Sequence, residues 1–295
     1  MDDFTASLNQ DAMARPRSRA AEFGSRLLAH SPAVIGLAFL IIAALIVAVA
    51  PPMLPYTYDG QDFELLGQPT APTPAHWLGG DELGRDALAR IIQGGRVSLA
   101  VGLFGALVST VLGTIVGAAA GFYRGFADAL LMRLTDVVLS IPLLPLVLLI
   151  SGLLRPSVPL LVFVIGLLTW MGTARLVRAQ FLALREREFV EAARALGAGG
   201  LRIMLRHILP NAMSPVIVSA TLAVGRAVML ESALSFLGFG VQQPTPSWGN
   251  LLNKASPWLA SAPWLAIAPG LCIFLTVLSV NFLGDGLRDA LEPES

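Results

Sequence analysis

Six long apolar stretches constrain the fold of this chain more than any other feature of its sequence. A helix needs about 20 residues to cross the hydrocarbon core of a bilayer, which is about 30 Å thick. The stretches that reach or approach this length occupy residues 32–50, 97–121, 137–154, 158–174, 212–237 and 263–284. They predict an all-α, polytopic membrane protein with six transmembrane helices.

The third and fourth stretches are separated only by the sequence RPS. Residues 137–174 are together too long for one span, and they have the right length for two spans that form a tight hairpin. Pro142 and Pro145 each lack a backbone N–H, so they predict a kink in the third span.

The overall composition supports a membrane location and excludes several kinds of site. Charged residues make up 14% of the chain, against about 25% in soluble domains. Cys272 is the single cysteine, which excludes a disulfide framework and a cysteine-based metal site within the chain. Lys254 is the single lysine and follows no glycine-rich loop, so the chain has no P-loop. Any nucleotide chemistry is therefore expected on another chain, and no cofactor or metal is expected in this one.

The first apolar stretch has two interpretations. Residues 1–31 form a polar lead, expected to include a short helix, and the AVA sequence at 48–50 is typical of a signal-peptide cleavage site. The apolar run is longer than the usual 7–15 residues or so of a signal peptide, and Pro51 would follow the cut. These two facts favour an uncleaved first span.

The arginines of the loops predict the orientation in the membrane, because cytoplasmic loops carry an excess of basic residues. If the N-terminus is cytoplasmic, fourteen basic residues fall on the inside and five on the outside. The inside residues are Arg15, Arg17, Arg19, Arg26, Arg124, Arg133, Arg175, Arg178, Arg185, Arg187, Arg194, Arg202, Arg206 and Arg288, and the outside ones are Arg85, Arg90, Arg96, Arg155 and Lys254. Both termini are therefore predicted to be cytoplasmic.

The loop at 51–96 is predicted to be external and too short for an independent domain. Its second half has apolar residues at helical spacing and is interpreted as an interfacial helix that caps the bundle. Asp81 and Asp86 are of a residue type that can bind a metal, but no His or Cys lies near them at the spacing of a metal site. A metal site is therefore not predicted here.

Two charged residues, Arg226 and Glu231, lie within the fifth predicted span. An arginine at the centre of a span costs about 2.5–3.5 kcal/mol on insertion scales, so neither residue should face lipid. One or both are expected to face a water-filled path or to pair with another subunit. The alternative for Arg226 is a purely structural role, in which it snorkels or pairs for stability.

The segment at 175–211 is the longest polar interruption between later spans and is predicted to lie in the cytoplasm as two short helices. In the first, Phe189, Ala193 and Leu196 are spaced to share one face. Gly197 is suited to end that helix in a left-handed conformation. A helix, a glycine corner and a second helix, apolar on one side, are suited to docking in a groove of another protein.

This segment resembles the EAA loop of the permease subunits of binding-protein-dependent ABC importers. The residues that match the pattern are Glu191, Ala192, Ala193, Gly197, Leu209 and Pro210, whereas His207 stands where the general pattern has Ile. The sequence RHILPN is similar to the version in the oligopeptide, dipeptide and nickel branch. Four further stretches resemble that branch, namely HWLGGDELGRDALARI, MRLTDVVLSIP, ALSFLGFGVQQPTPSWGNLL and PGLCIFLTVLSVNFLGDGLRDALEP. Arg226 is a residue that is not expected from this family.

The resemblance implies a type I importer fold in a bacterial inner membrane. It also implies a second, usually non-identical permease subunit, two cytoplasmic ATPase subunits that hold ATP and Mg²⁺, and an external substrate-binding protein. The matching residues of the EAA loop would contact an ATPase, and this chain would have no catalytic site of its own. Peptides are the first expected substrate, with nickel chelates or other small solutes as the alternative.

Two other classes of protein share some of these features. A secondary transporter or channel would show spans with buried charges, but it would not need a docking helix. An intramembrane enzyme would need its catalytic groups at one depth, and His30, His76 and His207 all lie outside the predicted spans.

Overall fold

The computed structural model describes residues 19–154 and 157–291, and these fold mainly as helices. The first part of the predicted polar lead and the Arg155–Pro156 turn of the predicted hairpin lie outside the described residues. The helices are α1 (Arg19–Ala29), α2 (Ser31–Val49), α3 (Ala87–Tyr123), α4 (Gly125–Ser140), α5 (Leu143–Leu153), α6 (Val158–Thr169), α7 (Met171–Leu184), α8 (Glu188–Ala195), α9 (Gly200–Ile203), α10 (Leu209–Phe236), α11 (Trp248–Ala255) and α12 (Trp264–Leu291).

Four helical segments are long and apolar enough to cross a membrane: α2, α3, α9 with α10, and α12. Two further pairs, α4 with α5 and α6 with α7, pass the same test as bent pairs. The described residues thus provide four spans, or six if each bent pair crosses once. The all-α, polytopic fold class is confirmed.

Helix α3 is longer than predicted. Its first turn is capped by Asp86, whose Oδ1 accepts a hydrogen bond from the N–H of Ala89 at 2.7 Å, and it continues for 37 residues. The predicted interfacial helix is therefore not separate, because its residues begin the same continuous helix as the second predicted span. The predicted loop end at residue 96 is wrong, since the helix begins at Ala87. Gly94 and Gly95 do not interrupt it because they pack against α11, where a Cβ on Gly95 would lie 3.0 Å from the Trp248 ring.

The bend between α4 and α5 corrects the third predicted span, 137–154. The helix begins at Gly125 rather than at 137, and the chain turns by 83° before α5. Ile141 takes an extended conformation (φ −86°, ψ 126°), as expected for a residue that precedes proline. Pro142 thus breaks the segment, whereas Pro145 lies in the first turn of α5, where its missing N–H does no harm.

The fourth predicted span, 158–174, is also extended by the structure. Helices α6 and α7 meet at a 46° bend, and α7 continues to Leu184. The polar segment predicted from residue 175 is therefore shorter than expected, because its first ten residues extend α7. At its other end a π-helical turn, Met204–Ile208, joins α9 directly to α10.

Small residues let α3 pack directly on α7. A Cβ on Gly113 would lie 2.7 Å from the carbonyl oxygen of Trp170, and one on Gly121 would lie 2.7 Å from that of Arg178. A Cβ on Gly117 would overlap the carbonyl oxygen of Ala174. These three glycines, spaced four residues apart, therefore face a helix of their own chain and let α7 approach α3 closely.

Candidate functional site

Helix α8 and the turn that follows it project from one end of the bundle. The helix ends in a Schellman motif: Gly197 N–H donates to the carbonyl of Arg194 at 2.9 Å, and Ala198 N–H donates to that of Ala193 at 3.0 Å. Gly197 has φ +79°, the left-handed conformation that the motif requires and that glycine adopts without strain. The chain is therefore held in a sharp corner at this point.

One side of α8 is attached to the rest of the chain. Val190 is fully buried and Ala193 is 7% exposed. They join a cluster contributed by α3, α7, the α9–π turn and α10, whose other buried members are Ala118, Val177, Phe181, Ile203, Met204, Ile208, Ala212 and Val216. Such packing attaches α8 to the helices beneath it.

The other side of α8 is open. Leu196 is 89% exposed and Phe189 is 39% exposed. Glu191 and Ala192 are also exposed, and nothing lies within 4 Å of a Cβ built on Gly197. We call this open surface at the end of the bundle the docking edge. It is formed by Glu191, Ala192, Leu196 and Gly197.

The structure separates the matched EAA-loop residues into two groups. Glu191, Ala192 and Gly197 lie on the docking edge, whereas Ala193 is packed inside its own chain and is not available to a partner. Leu209 packs partly on the cluster beneath α8, and Pro210 is exposed in the first turn of α10. The three apolar residues predicted to share a face differ in exposure, because the bundle covers the Val190–Ala193 side of the apolar stripe.

Arginine pairs connect α7 and the following turn to neighbouring helices. Arg185 donates a hydrogen bond to the carbonyl of Phe122 at the end of α3, and its guanidinium lies 6.0 Å from the Phe122 ring. The ion pairs are Arg175–Asp136 (2.6 Å), Arg178–Asp128 (2.5 Å) and Arg124–Glu186 (3.0 Å). These contacts link α7 and the turn after it to α3 and α4 beneath α8.

Arg226 lies on an open face of α10, where it borders two cavities. The first, called the bend cavity, has a volume of about 700 Å³ and is formed at the α4–α5 bend by residues such as Pro142 and Leu143, opposite Met229. The second, called the end cavity, has a volume of about 520 Å³ and extends to Arg288 near the end of α12. Arg226 has no hydrogen bond or ion pair with any residue in the described part of the chain.

Glu231 does not face a water-filled path or another subunit, as the sequence had suggested for it, but is buried between helices. Its side chain is 0% exposed and accepts hydrogen bonds from Ser98 Oγ at 2.8 Å and from Ser235 Oγ at 2.7 Å, with Ser232 Oγ at 3.4 Å. Ser98 also accepts a hydrogen bond from the N–H of Trp248 at 3.2 Å. Glu231 therefore joins α3, α10 and α11, and it faces neither cavity nor a second subunit.

At the opposite end of the bundle, the loop before α3 contains a buried charged cluster that sequence reasoning missed. His76 Nδ1 lies 2.9 Å from Asp86 Oδ2, and the ring stacks on Tyr56 with centroids 4.3 Å apart. Arg85 pairs with Asp81 at 2.7 Å. His76 stands ten positions before Asp86, so no local pattern signals the contact. Across residues 19–154 and 157–291 no group of acidic, His and Cys side chains could hold a metal ion.

A bundle of apolar helices, with cavities along one arginine-bearing helix and a projecting helix at one end, is the arrangement expected of a membrane permease. Residues 109–294 match the family described as binding-protein-dependent transport system inner membrane component. Residues 18–70 match the N-terminal transmembrane domain of oligopeptide transport permease C. The chain belongs to this family of binding-protein-dependent transport permeases.

Two curated proteins that are similar to this chain in sequence are also named as transport permeases. The chain is 40% identical over 274 residues to the glutathione transport system permease protein GsiD of Pectobacterium atrosepticum, covering 92% of this chain and 90% of that protein. It is also 40% identical to the oligopeptide transport system permease protein OppC of Haemophilus influenzae, covering 91% and 86%. An inward-facing structure of the MetNI methionine ABC transporter has the same fold, with a TM-score of 0.54 and 19% identity over 69% of this chain and 96% of that one.

These comparisons confirm the predicted resemblance and the predicted class. The chain is a permease subunit of an ABC importer, with membrane-spanning helices and a transport role. A secondary transporter, one of the alternatives considered from the sequence, is not the family to which the chain belongs.

Proposed function

We propose that this chain forms half of the translocation path of an ATP-driven importer and couples that path to a cytoplasmic ATPase through the docking edge. The observation that carries the proposal is the arrangement of α8. Its Val190–Ala193 side is packed into the spans, and its Leu196 side is left open at a rigid corner. A helix held in this way transmits a displacement of its partner to the spans instead of absorbing it.

The proposed assembly contains a second permease subunit, two ATPase subunits and an external substrate-binding protein. ATP and Mg²⁺ would be held by the ATPase subunits, and this chain would contribute no catalytic group. Closure of the ATPase pair on ATP would bias the bundle between two arrangements, in one of which the path is open to the outside. The ATPase would be contacted by Glu191, Ala192, Leu196 and Gly197. Ala193 would not touch it but would help to hold α8 against the bundle.

The proposed orientation places the N- and C-termini and the docking edge in the cytoplasm of a bacterial cell. The excess of arginine in the segments at that end supports this orientation. The proposed cargo is peptides, supported by similarity to a permease named for oligopeptide transport and to one named for glutathione transport. Nickel chelates are less well supported, because the described residues provide no cluster of metal-binding side chains along the spans.

The docking edge can be tested by comparing two leucine-to-arginine changes on opposite ends of the bundle. Leu196→Arg adds a long charged side chain to the docking edge, where the wild-type residue is 89% exposed. Leu66→Arg makes the same change in the loop before α3, where the wild-type residue is 47% exposed. Each variant is co-expressed with its genomic neighbours, extracted in mild detergent and examined by native mass spectrometry.

Wild type and Leu66→Arg are expected to carry a second membrane chain and two ATPase copies. Leu196→Arg is expected to keep the second membrane chain and lose the ATPases, because a charge without a partner in a docking groove is poorly tolerated. A Leu196→Arg complex with its full set of ATPases would contradict the docking role of α8.

A further inference from the structure

The two cavities beside α10 share one charged residue. Arg226 borders both the bend cavity and the end cavity, so its guanidinium can reach into either. The walls of the bend cavity are otherwise mostly apolar, with Leu143, Leu144 and Met229 among them. An apolar cavity with one cation at its edge is suited to a molecule that has an anionic group beside apolar groups.

The described residues of the cavity walls carry charge of one sign. Among residues 19–154 and 157–291, no Asp or Glu lines either cavity, whereas Arg226 and Arg288 both line the end cavity. Neither arginine has an ion-pair partner in the part of the chain that the structure describes. An arginine placed in a membrane-spanning helix without a carboxylate beside it is costly, and such residues mark substrate pathways.

The helix packing allows an estimate of the separation of the two arginines along the path. Helices α10 and α12 run antiparallel, since a Cβ on Gly225 would lie 3.4 Å from Val280 and one on Gly284 would lie 2.6 Å from Leu222. Arg288 follows Gly284 by one helical turn and so lies near the level of Val218. At 1.5 Å per residue, the step from Arg226 to Arg288 along the helix axis is about 12 Å.

We propose that Arg226 is an anion-binding site of the translocation path, which takes the carboxylate of the cargo while the bend cavity holds its apolar groups. Arg288 receives the same carboxylate at the next position, near the end of α12. A guanidinium suits this role because it remains charged and binds both oxygens of a carboxylate. This inference rests on the proposed function, and it restricts the cargo to molecules that carry a free carboxylate, as an unmodified peptide does.

The test compares uptake of two cargoes that differ only in that group. The complete importer, with its second permease, ATPases and binding protein, is reconstituted in proteoliposomes and supplied with trileucine or with its C-terminal amide. The two cargoes are supplied at concentrations that give equal occupancy of the binding protein. The variants are Arg226→Gln, Arg226→Lys and a matched control, Arg133→Gln, which removes an exposed arginine from α4 that lines neither cavity.

Arg226→Gln is expected to lower the initial uptake rate of trileucine about tenfold or more, the effect of losing a hydrogen bond to a charged group. It should change uptake of the amide less than about twofold by the same reasoning, since the amide never made the charged contact. Arg226→Lys should restore much of the trileucine rate, because it keeps the charge, and Arg133→Gln should behave as wild type with both cargoes.

Three results would overturn the proposal. If Arg226→Gln lowers uptake of both cargoes equally, or of neither, Arg226 does not recognise the carboxylate. If native mass spectrometry shows that Arg226→Gln has lost the second permease and Arg226→Lys has not, the residue serves subunit pairing. If the assembled wild-type importer takes up neither cargo, peptide import itself is wrong, and this outcome is distinct from the other two.

Discussion

At the scale of single residues, the carboxylate of Glu231 organises the contact of three helices. It is 0% exposed and is the common acceptor for Ser98 on α3 and Ser235 on α10. Glu231→Leu would fill the volume but leave the serine hydroxyls without their acceptor. The expected loss is about 2 kcal/mol or more, because each buried polar group left unpaired costs about 1–3 kcal/mol. Thermal unfolding of the purified subunit, followed by light scattering and intrinsic fluorescence, measures this loss.

Glu231→Gln is the matched control for this prediction. The glutamine amide keeps one oxygen that can accept a hydrogen bond from a serine. The thermal unfolding midpoint of Glu231→Gln should therefore fall less than that of Glu231→Leu. Equal midpoints for Glu231→Leu and wild type would show that the serine contacts contribute no net stability. In that case the burial of Glu231 needs another explanation.

At the scale of elements, the packing of α3 on α7 depends on glycine. Gly117→Ala would add a methyl group where the backbone of Ala174 already lies, and the Val177 Cβ is only 2.8 Å from the new atom. The two helices would have to separate, at an expected cost of about 1–3 kcal/mol from overpacking. The thermal midpoint of the Gly117→Ala subunit should therefore fall below that of wild type.

Gly172→Ala is the control for the helix-packing prediction. Gly172 lies in α7, but nothing is within 4 Å of a Cβ built on it. Its replacement by alanine should leave the midpoint unchanged or raise it, because alanine is favoured over glycine in a helix by about 1 kcal/mol. If both variants lower the midpoint by the same amount, close packing of α3 is not the reason for the effect.

At the scale of the whole molecule, the orientation of the bundle can be measured with single cysteines. In a Cys272→Ser background, Trp77→Cys and Leu196→Cys place one thiol beyond each end of α3, at positions 71% and 89% exposed. For the chain expressed without its partner subunits, the proposed orientation predicts that a membrane-impermeant maleimide labels Trp77→Cys on intact spheroplasts and labels Leu196→Cys only after lysis. The reverse pattern would invert the topology, and labelling of both in intact cells would contradict a sealed bundle.

Sequence patterns alone sufficed for the class of fold and the class of protein, because both depend on local properties. A bilayer needs long apolar helices, and the apolar stretches of this chain have that length wherever they pack. The turn after α8 was equally predictable, since Gly197 is the residue type that ends a helix in the left-handed conformation. The EAA-loop match at Glu191–Gly197 indicated the family before any contact was known.

The tertiary structure decided which residues of each helix are buried and which are exposed. Ala193 and Leu196 belong to one apolar stripe, yet the bundle covers the first and leaves the second 89% exposed. Arg226 and Glu231 are both charged residues of one span, and their separate roles follow from what lies opposite them on other helices. Serines surround Glu231 and cavities surround Arg226. Helical period limits which residues share a face, but the packing of distant segments chooses the face that is buried.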